Sequence, residues 1–181
     1  MRTMILFKTK YGSSSQYAAW LAEELQCKAE QIGNVKLSGL LAYDVLVYVG
    51  GLYAGSVNGF KQISRHLDVL QDKQLLLCMV GMTNPAEQEK YDQAFLQNVP
   101  EPYRGRVKPF ALHGNQLFSK MSGFHRLMMK MPKAMAEKIP LEQRTEDDKR
   151  LLETFGQDVR FAKRENLHEI LAYIRGLAIA E

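Results

Sequence analysis

Seven consecutive residues near the N-terminus, Thr9-Lys10-Tyr11-Gly12-Ser13-Ser14-Ser15, carry the densest chemistry in the sequence. Gly12 frees the backbone for a tight turn. The serines stand where a helix would begin, a position at which hydroxyls cap orphan N–H groups. Exposed N–H groups and the positive end of a helix dipole together attract an anion. Hydroxyls at Thr9, Ser13 and Ser14 add neutral donors, a set that suits a phosphate monoester held without arginine. The same residues also read as a capped turn that holds no ligand.

Other phosphate and nucleophile chemistries are tested by what is missing. No G-x-x-x-x-G-K-[ST] occurs, so a P-loop nucleotide site is not expected. No G-x-G-x-x-G follows the first apolar run, which removes the dinucleotide fingerprint. A phosphorylated receiver domain would need an aspartate where Gly50 and Gly51 stand. A cysteine phosphatase needs arginine six positions after its nucleophile; Cys78 has Asn84 there and Cys27 has Gly33. Both cysteines therefore read as inert. His66, His113, His125 and His168 are scattered, and no pair has metal-ligand spacing on one helix, so no metal is expected. No side chain stands out as a general acid or base.

These residues need a scaffold, and the apolar runs supply it. Met4–Phe7, Cys27–Ile32, Val45–Val49, Leu75–Val80 and Val107–Leu112 read as five short strands. Between them lie helical patterns: Ser13–Leu25 with Tyr17, Leu21 and Leu25 on one face; Phe60, Ile63, Leu67 and Leu70; and Tyr91, Phe95, Leu96 and Val99. Leu167, Ile170, Leu171, Ile174 and Leu177 mark a last helix. Strands alternating with helices predict an α/β fold: one doubly wound parallel sheet with helices on both faces. The 181 residues make about one domain at ~150 residues each, read here as a single domain over 1–181. The segment from Asn115 to about Gln157 reads as a helical insertion before the last helix, without strand signals. Ligands of such sheets bind at the carboxyl ends of the strands, so the loops to watch follow Phe7, Val49 and Val80.

The strand followed by T-x-Y-G-S-S-S resembles the phosphate loop of flavodoxins. The second loop, Gly50-Gly51-Leu52-Tyr53-Ala54-Gly55-Ser56, and the third, Gly81-Met82-Thr83-Asn84-Pro85, stand where that family holds the isoalloxazine ring of FMN. The branch most similar includes menaquinone-dependent protoporphyrinogen dehydrogenase. It carries a basic, methionine-rich insertion near the C-terminus, as this sequence does in His125-Arg126-Leu127-Met128-Met129-Lys130-Met131. The resemblance implies a flavodoxin-like fold and FMN as cofactor. It places Thr9, Tyr11, Gly12, Ser13 and Ser14, with Lys10 in the same loop, around the phosphate. Gly51, Leu52, Tyr53 and Ala54 would line one side of the ring, and Gly81, Met82, Thr83 and Asn84 the other. Tyr53 is the expected stacking partner, the one aromatic in the two ring loops.

The charge balance bears on carrier against enzyme. Ordinary flavodoxins are acidic, whereas this chain carries a formal net charge of +4. Neither ring loop contains Asp or Glu. Nearby negative charge disfavours an anionic reduced flavin, so its lack favours two-electron exchange over one-electron shuttling. The expected activity is an FMN-dependent oxidoreductase acting on a quinone or an apolar anionic substrate, with protoporphyrinogen the precedent that the resemblance supplies. The alternative is an electron-transfer flavodoxin serving a redox partner protein.

From Pro102 to Ala136 the sequence has no acid but seven bases: Arg104, Arg106, Lys108, Lys120, Arg126, Lys130 and Lys133. Leu117, Met121, Phe124, Met128, Met131 and Met135 alternate spacings of four and three and read as one helical stripe. Arg126, Lys130 and Lys133 fall on the other face. Gly123 and Pro132 argue against one unbroken helix. The stripe from Leu117 to Met135 would pack on the core, on a second subunit in a homodimer, or peripherally on a membrane. Nucleic acid is not expected, since no stacking aromatics interleave the charges. Thr145-Glu146-Asp147-Asp148 opens another helix, with Thr145 as its cap. Two cysteines without a disulfide framework imply a reducing, cytoplasmic setting, with any membrane contact at the inner face. No apolar run approaches the ~18 residues of a spanning helix.

Overall fold

The computed structural model describes residues 1–179 and divides into two compact units. One comprises Met1–Gly114 and the chain from Ala162 onward; the other is Asn115–Phe161. The first unit runs β1 (Thr3–Lys8), α1 (Ser13–Leu25), β2 (Lys28–Gln31), α2 (Leu37–Leu40), β3 (Val45–Tyr53), β4 (Ser56–Val57), α3 (Lys61–Ser64), β5 (Gln74–Gly81), α4 (Gln88–Asn98) and β6 (Val107–His113). The second unit contains β7 (Gln116–Leu117), α5 (Gly123–Lys138), α6 (Glu146–Thr154) and β8 (Asp158–Val159). The chain then re-enters the first unit with α7 (His168–Ile179).

The sheet order is β2-β1-β3-β5-β6, all parallel, as an α/β doubly wound fold requires. Its inner strands β1, β3 and β5 are buried on both faces, since side chains alternate across a strand and helices cover each side. Val45, Val47 and Val49 face one way and pack with Tyr17, Ala18 and Leu21 of α1 and Ile170, Leu171 and Ile174 of α7. Leu46 and Tyr48 face the other way, against Phe60, Ile63, Leu67, Tyr91 and Phe95. Cys78 lies wholly inside the first of these layers and Cys27 at its margin; burial pushes both thiols above their ordinary range, away from the reactive thiolate.

The structure departs from the sequence reading at three places. The helix expected over Phe60–Leu70 is regular only in α3 and continues as turns closed by three-residue bonds, such as His66 N–H to Ile63 C=O and Val69 N–H to His66 C=O. Spacings of three and four keep Phe60, Ile63, Leu67 and Leu70 inward in either geometry. Gly50-Gly51-Leu52-Tyr53 form no loop: β3 runs four residues past Val49. Gly50 and Gly51 pair with Met79 and Val80 of β5, and Leu52 and Tyr53 pair with β4. Only glycine fits at position 50, where a Cβ would stand 2.5 Å from the Val57 side chain.

The third departure is in the insertion. Its ends are tied by the β7–β8 strand pair, which the sequence did not signal. Helix α5 starts at Gly123, capped by the Ser122 hydroxyl, which accepts from His125 N–H. It runs unbroken through Pro132, which is exposed, so the carbonyl freed one turn back can bond water. Leu117 and Met121 therefore lie outside the helix, and Met121 is buried. Of the stripe, Phe124, Met128, Met131 and Met135 remain on α5, all exposed, and Leu127, which the stripe did not include, is exposed with them. Arg126 and Lys133 fall on the other face of α5, as expected, and that face turns inward onto aromatic rings. The Arg126 guanidinium lies 5.5 Å from the Phe118 ring centre and donates to Phe118 and Ser119 carbonyls; the Lys133 ammonium lies 5.3 Å from the Phe155 ring centre. Phe118 and Phe155 meet edge to face at 5.2 Å. Helix α6 opens as expected, with Thr145 and Asp148 forming a reciprocal capping box.

Candidate functional site

The first loop joins β1 to α1 with Gly12 in a left-handed conformation, φ 97°, at the helix N-cap. Gly12 N–H donates to Thr9 Oγ1 at 2.9 Å, and Ser15 Oγ donates back to the Gly12 carbonyl at 2.9 Å. No side chain caps the helix. The serines, expected as caps, instead occupy its first three positions, and Ser13 and Ser14 are buried there. A 13-residue helix thus presents its positive end at the carboxyl edge of the sheet.

The second segment is a β-hairpin. Its two turn residues, Ala54 and Gly55, both have positive φ (47° and 80°), the pattern that matches the twist of paired strands. Alanine there costs about 1–2 kcal/mol. Asn98, at the end of α4, offsets it by clamping the hairpin. Its amide donates to the Gly55 carbonyl at 2.7 Å, and its oxygen accepts from Val57 N–H at 2.9 Å. A third bond, to Ala94 C=O at 2.7 Å, fixes the clamp to its own helix. Tyr53 folds over Gly51, where a Cβ would come within 2.9 Å of its ring.

Tyr53 also meets the first loop. Its ring lies 6.3 Å from that of Tyr11, edge to face, and the Lys10 ammonium is 5.9 and 6.0 Å from the Tyr11 and Tyr53 ring centres. Tyr11, assigned by resemblance to the phosphate, is thereby placed with the expected stacking residue. Burial first, and then the neighbouring Tyr11, push the Tyr53 hydroxyl up to about 12, so it stays neutral.

The third loop is held from below. Gly81 leaves room for Tyr91, whose hydroxyl would sit 2.8 Å from a Cβ at that position and donates to the Thr83 carbonyl at 2.8 Å. His113 Nε2 approaches the Met82 carbonyl at 3.1 Å, and since a carbonyl only accepts, that nitrogen carries the proton. The His113 carbonyl accepts from Tyr17 Oη at 2.7 Å, and Tyr17 Oη accepts from the Asn166 amide at 2.6 Å. Asn84 turns inward on its own loop, accepting from Ala86 N–H at 3.1 Å.

All three segments named from sequence therefore lie at the carboxyl ends of β1, β3 and β5, which are neighbours in the sheet. Sequence reasoning missed the supports Asn98, His113, Tyr91 and Asn166. The available signal was topological: Tyr91 and Asn98 bracket the helix that follows the third loop, and His113 ends the neighbouring strand. Lys10 is the one charged residue in the three loops. Among the described residues no group of three His, Cys, Asp or Glu side chains is arranged to hold a metal ion, and no helix is long and apolar enough to cross a membrane.

Comparison with known proteins adds the following. The profile of the family described as Flavodoxin domain matches residues 4–140. No curated protein matches the chain. Among solved structures, the chain is similar to the Trp repressor binding protein from Bacillus subtilis, with 14% identity and a TM-score of 0.46, over 64% of this chain and 86% of that one. A Streptococcus pneumoniae TIGR4 flavodoxin gives 15% identity and a TM-score of 0.38, over 62% and 82%. A Fusobacterium nucleatum flavodoxin bound to flavin mononucleotide gives 14% and 0.35, over 65% and 72%.

Proposed function

The chain belongs to the flavodoxin domain family, and we propose that it binds one FMN and works as a flavin-dependent oxidoreductase on a quinone or an apolar anionic substrate. The observation that carries this reading is the uncapped start of α1 behind left-handed Gly12, beside the wall formed by Tyr53, Tyr11 and Lys10. The residues fit the cofactor. N–H groups of the first turn, with the Ser13 and Ser14 hydroxyls, would hold a terminal phosphate monoester. The hairpin Gly51–Ala54 and the loop Gly81–Asn84 would flank the ring. Bound flavin supplies hydride and electron-pair exchange. The protein supplies orientation, the fixed carbonyls of Met82 and Thr83, and charge.

That charge separates an enzyme from a low-potential carrier. Lys10 is held against two tyrosine faces and is the one charged residue in the three loops. Positive potential there favours the reduced, anionic cofactor. Lys10→Glu should therefore lower the two-electron midpoint potential by roughly 30–60 mV, about 1.4–2.8 kcal/mol. Spectroelectrochemical titration reads this directly, and an unchanged midpoint removes Lys10 from the ring's surroundings. The protoporphyrinogen dehydrogenase branch supplies the working substrate class. The two unreactive cysteines support a reducing, cytoplasmic setting.

The deciding experiment is reconstitution of the purified protein with FMN or FAD, followed by absorption spectroscopy and calorimetry. FMN is expected to bind at one per chain and FAD more weakly, because the first loop closes on a terminal phosphate. No bound flavin with excess FMN overturns the reading. Rapid reoxidation of the reduced protein by a quinone, against slow reoxidation by a one-electron protein acceptor, assigns it as the enzyme; the reverse order assigns it as an electron-transfer flavodoxin.

A further inference from the structure

In the unit Asn115–Phe161, packing leaves the most apolar surface outside. Residues on a helix advance about 100° each, so Phe124, Leu127, Met128, Met131 and Met135 of α5 share an arc of about 100°. They are 68, 63, 42, 70 and 65% exposed. The inward side of α5 is instead made by buried Ala136 and by Arg126 and Lys133 on the rings of Phe118 and Phe155. The cations left outside are Lys138, which lies within the apolar arc, and Lys130, about 60° beyond its Leu127 edge. Neither has an acid partner among the described residues. Glu137 is the one acid on α5; by the same count it lies about 80° beyond the Leu127 edge and is paired with Lys133. Glu146, Asp147, Asp148 and Asp158 are likewise held within the unit, by Lys149, Arg150, Thr145 and Ser119; Glu142 and Glu153 are exposed and lie outside α5.

We propose that this face of α5 docks peripherally on an anionic lipid surface, its methionines and Phe124 entering the boundary layer and Lys130 and Lys138 meeting lipid phosphates. Charge decides the occupant. A second copy of the same arc brings only further lysines and no carboxylate within the arc. Anionic headgroups supply the missing negative charge together with an apolar layer. Flexible, unbranched methionine side chains suit a surface without fixed shape. No residue of this face belongs to the cofactor loops, so lipid docking and the flavin reading stand or fall separately.

The test is co-sedimentation of the full chain with phosphatidylcholine vesicles, with and without about one-third phosphatidylglycerol. Binding is expected only to the anionic vesicles and should weaken as salt rises. Each lysine near such a surface contributes about fivefold in partitioning, so Lys130→Glu with Lys138→Glu should reduce binding at least ~30-fold. Phe124→Ser with Met131→Ser should bring it to background while leaving the melting temperature unchanged, both side chains being exposed. The charge-reversal pair serves as the second probe if the serine pair alters folding. Equal binding to both vesicle types, or binding to neither, overturns the proposal. So does a lipid-free dimer in sedimentation that the serine pair abolishes, which would make the arc a subunit interface.

Discussion

Ser14→Ala is expected to weaken FMN binding about 10- to 150-fold and to leave riboflavin binding nearly unchanged. Ser14 is buried at the second position of α1, directly behind the left-handed glycine that turns the chain. A hydroxyl bond to a charged group contributes about 1.5–3 kcal/mol, which sets that range. Riboflavin lacks the phosphate and should not sense the hydroxyl. Gly12→Val should lose more FMN affinity than Ser14→Ala. Nothing lies within 4 Å of a Cβ at Gly12, so its cost is the φ of 97° itself, which a β-branched residue strongly resists. Fluorescence titration of both flavins against the three proteins checks these outcomes. Equal losses for FMN and riboflavin in Ser14→Ala would place Ser14 away from the phosphate.

Asn98→Ala should have the largest effect on stability, lowering it by about 2–4 kcal/mol and the melting temperature by about 5–15 °C. The substitution removes three hydrogen bonds at once and strands the N–H of Val57, a residue only 4% exposed. It also releases the turn at Ala54, whose left-handed backbone is held by the same side chain. Asn98→Asp keeps the acceptor for Val57 N–H but loses both donated bonds, so its loss should be smaller. Thermal melts of the three proteins give the order, and FMN titration tells whether the loosened hairpin costs ring contacts as well. A melt unchanged in Asn98→Ala would mean that pairing between β3 and β4 alone holds the hairpin.

The sheet was legible because burial on both faces leaves continuous apolar runs in the sequence. All five expected strands form, and the loops that follow them are where parallel α/β topology must put a ligand. The first loop was legible for a related reason: a glycine turn and the helix start after it are local, so seven adjacent residues describe both. The second was misread as a loop because glycine is neutral between loop and strand. Gly50 and Gly51 become strand only when β5 pairs beside them and Val57 and Tyr53 fill the space over them.

By itself, the sequence determined the succession of strands and helices along the chain, the glycine turn and helix start at Thr9–Ser15, the absence of acids from the loops and the amphipathic character of α5. Each is a property of residue type and short spacing. Tertiary structure decided what no periodicity contains. It set Asn98 against a hairpin 41 residues away, joined Tyr11 and Lys10 to Tyr53, and chose which side of α5 turns inward. A helical period reveals two unlike faces but not which neighbour each will meet. Here the rings of Phe118 and Phe155 accept the cations of Arg126 and Lys133, since a guanidinium or ammonium over an aromatic face keeps its charge partly compensated. The apolar arc that pattern alone would bury is consequently left facing outward.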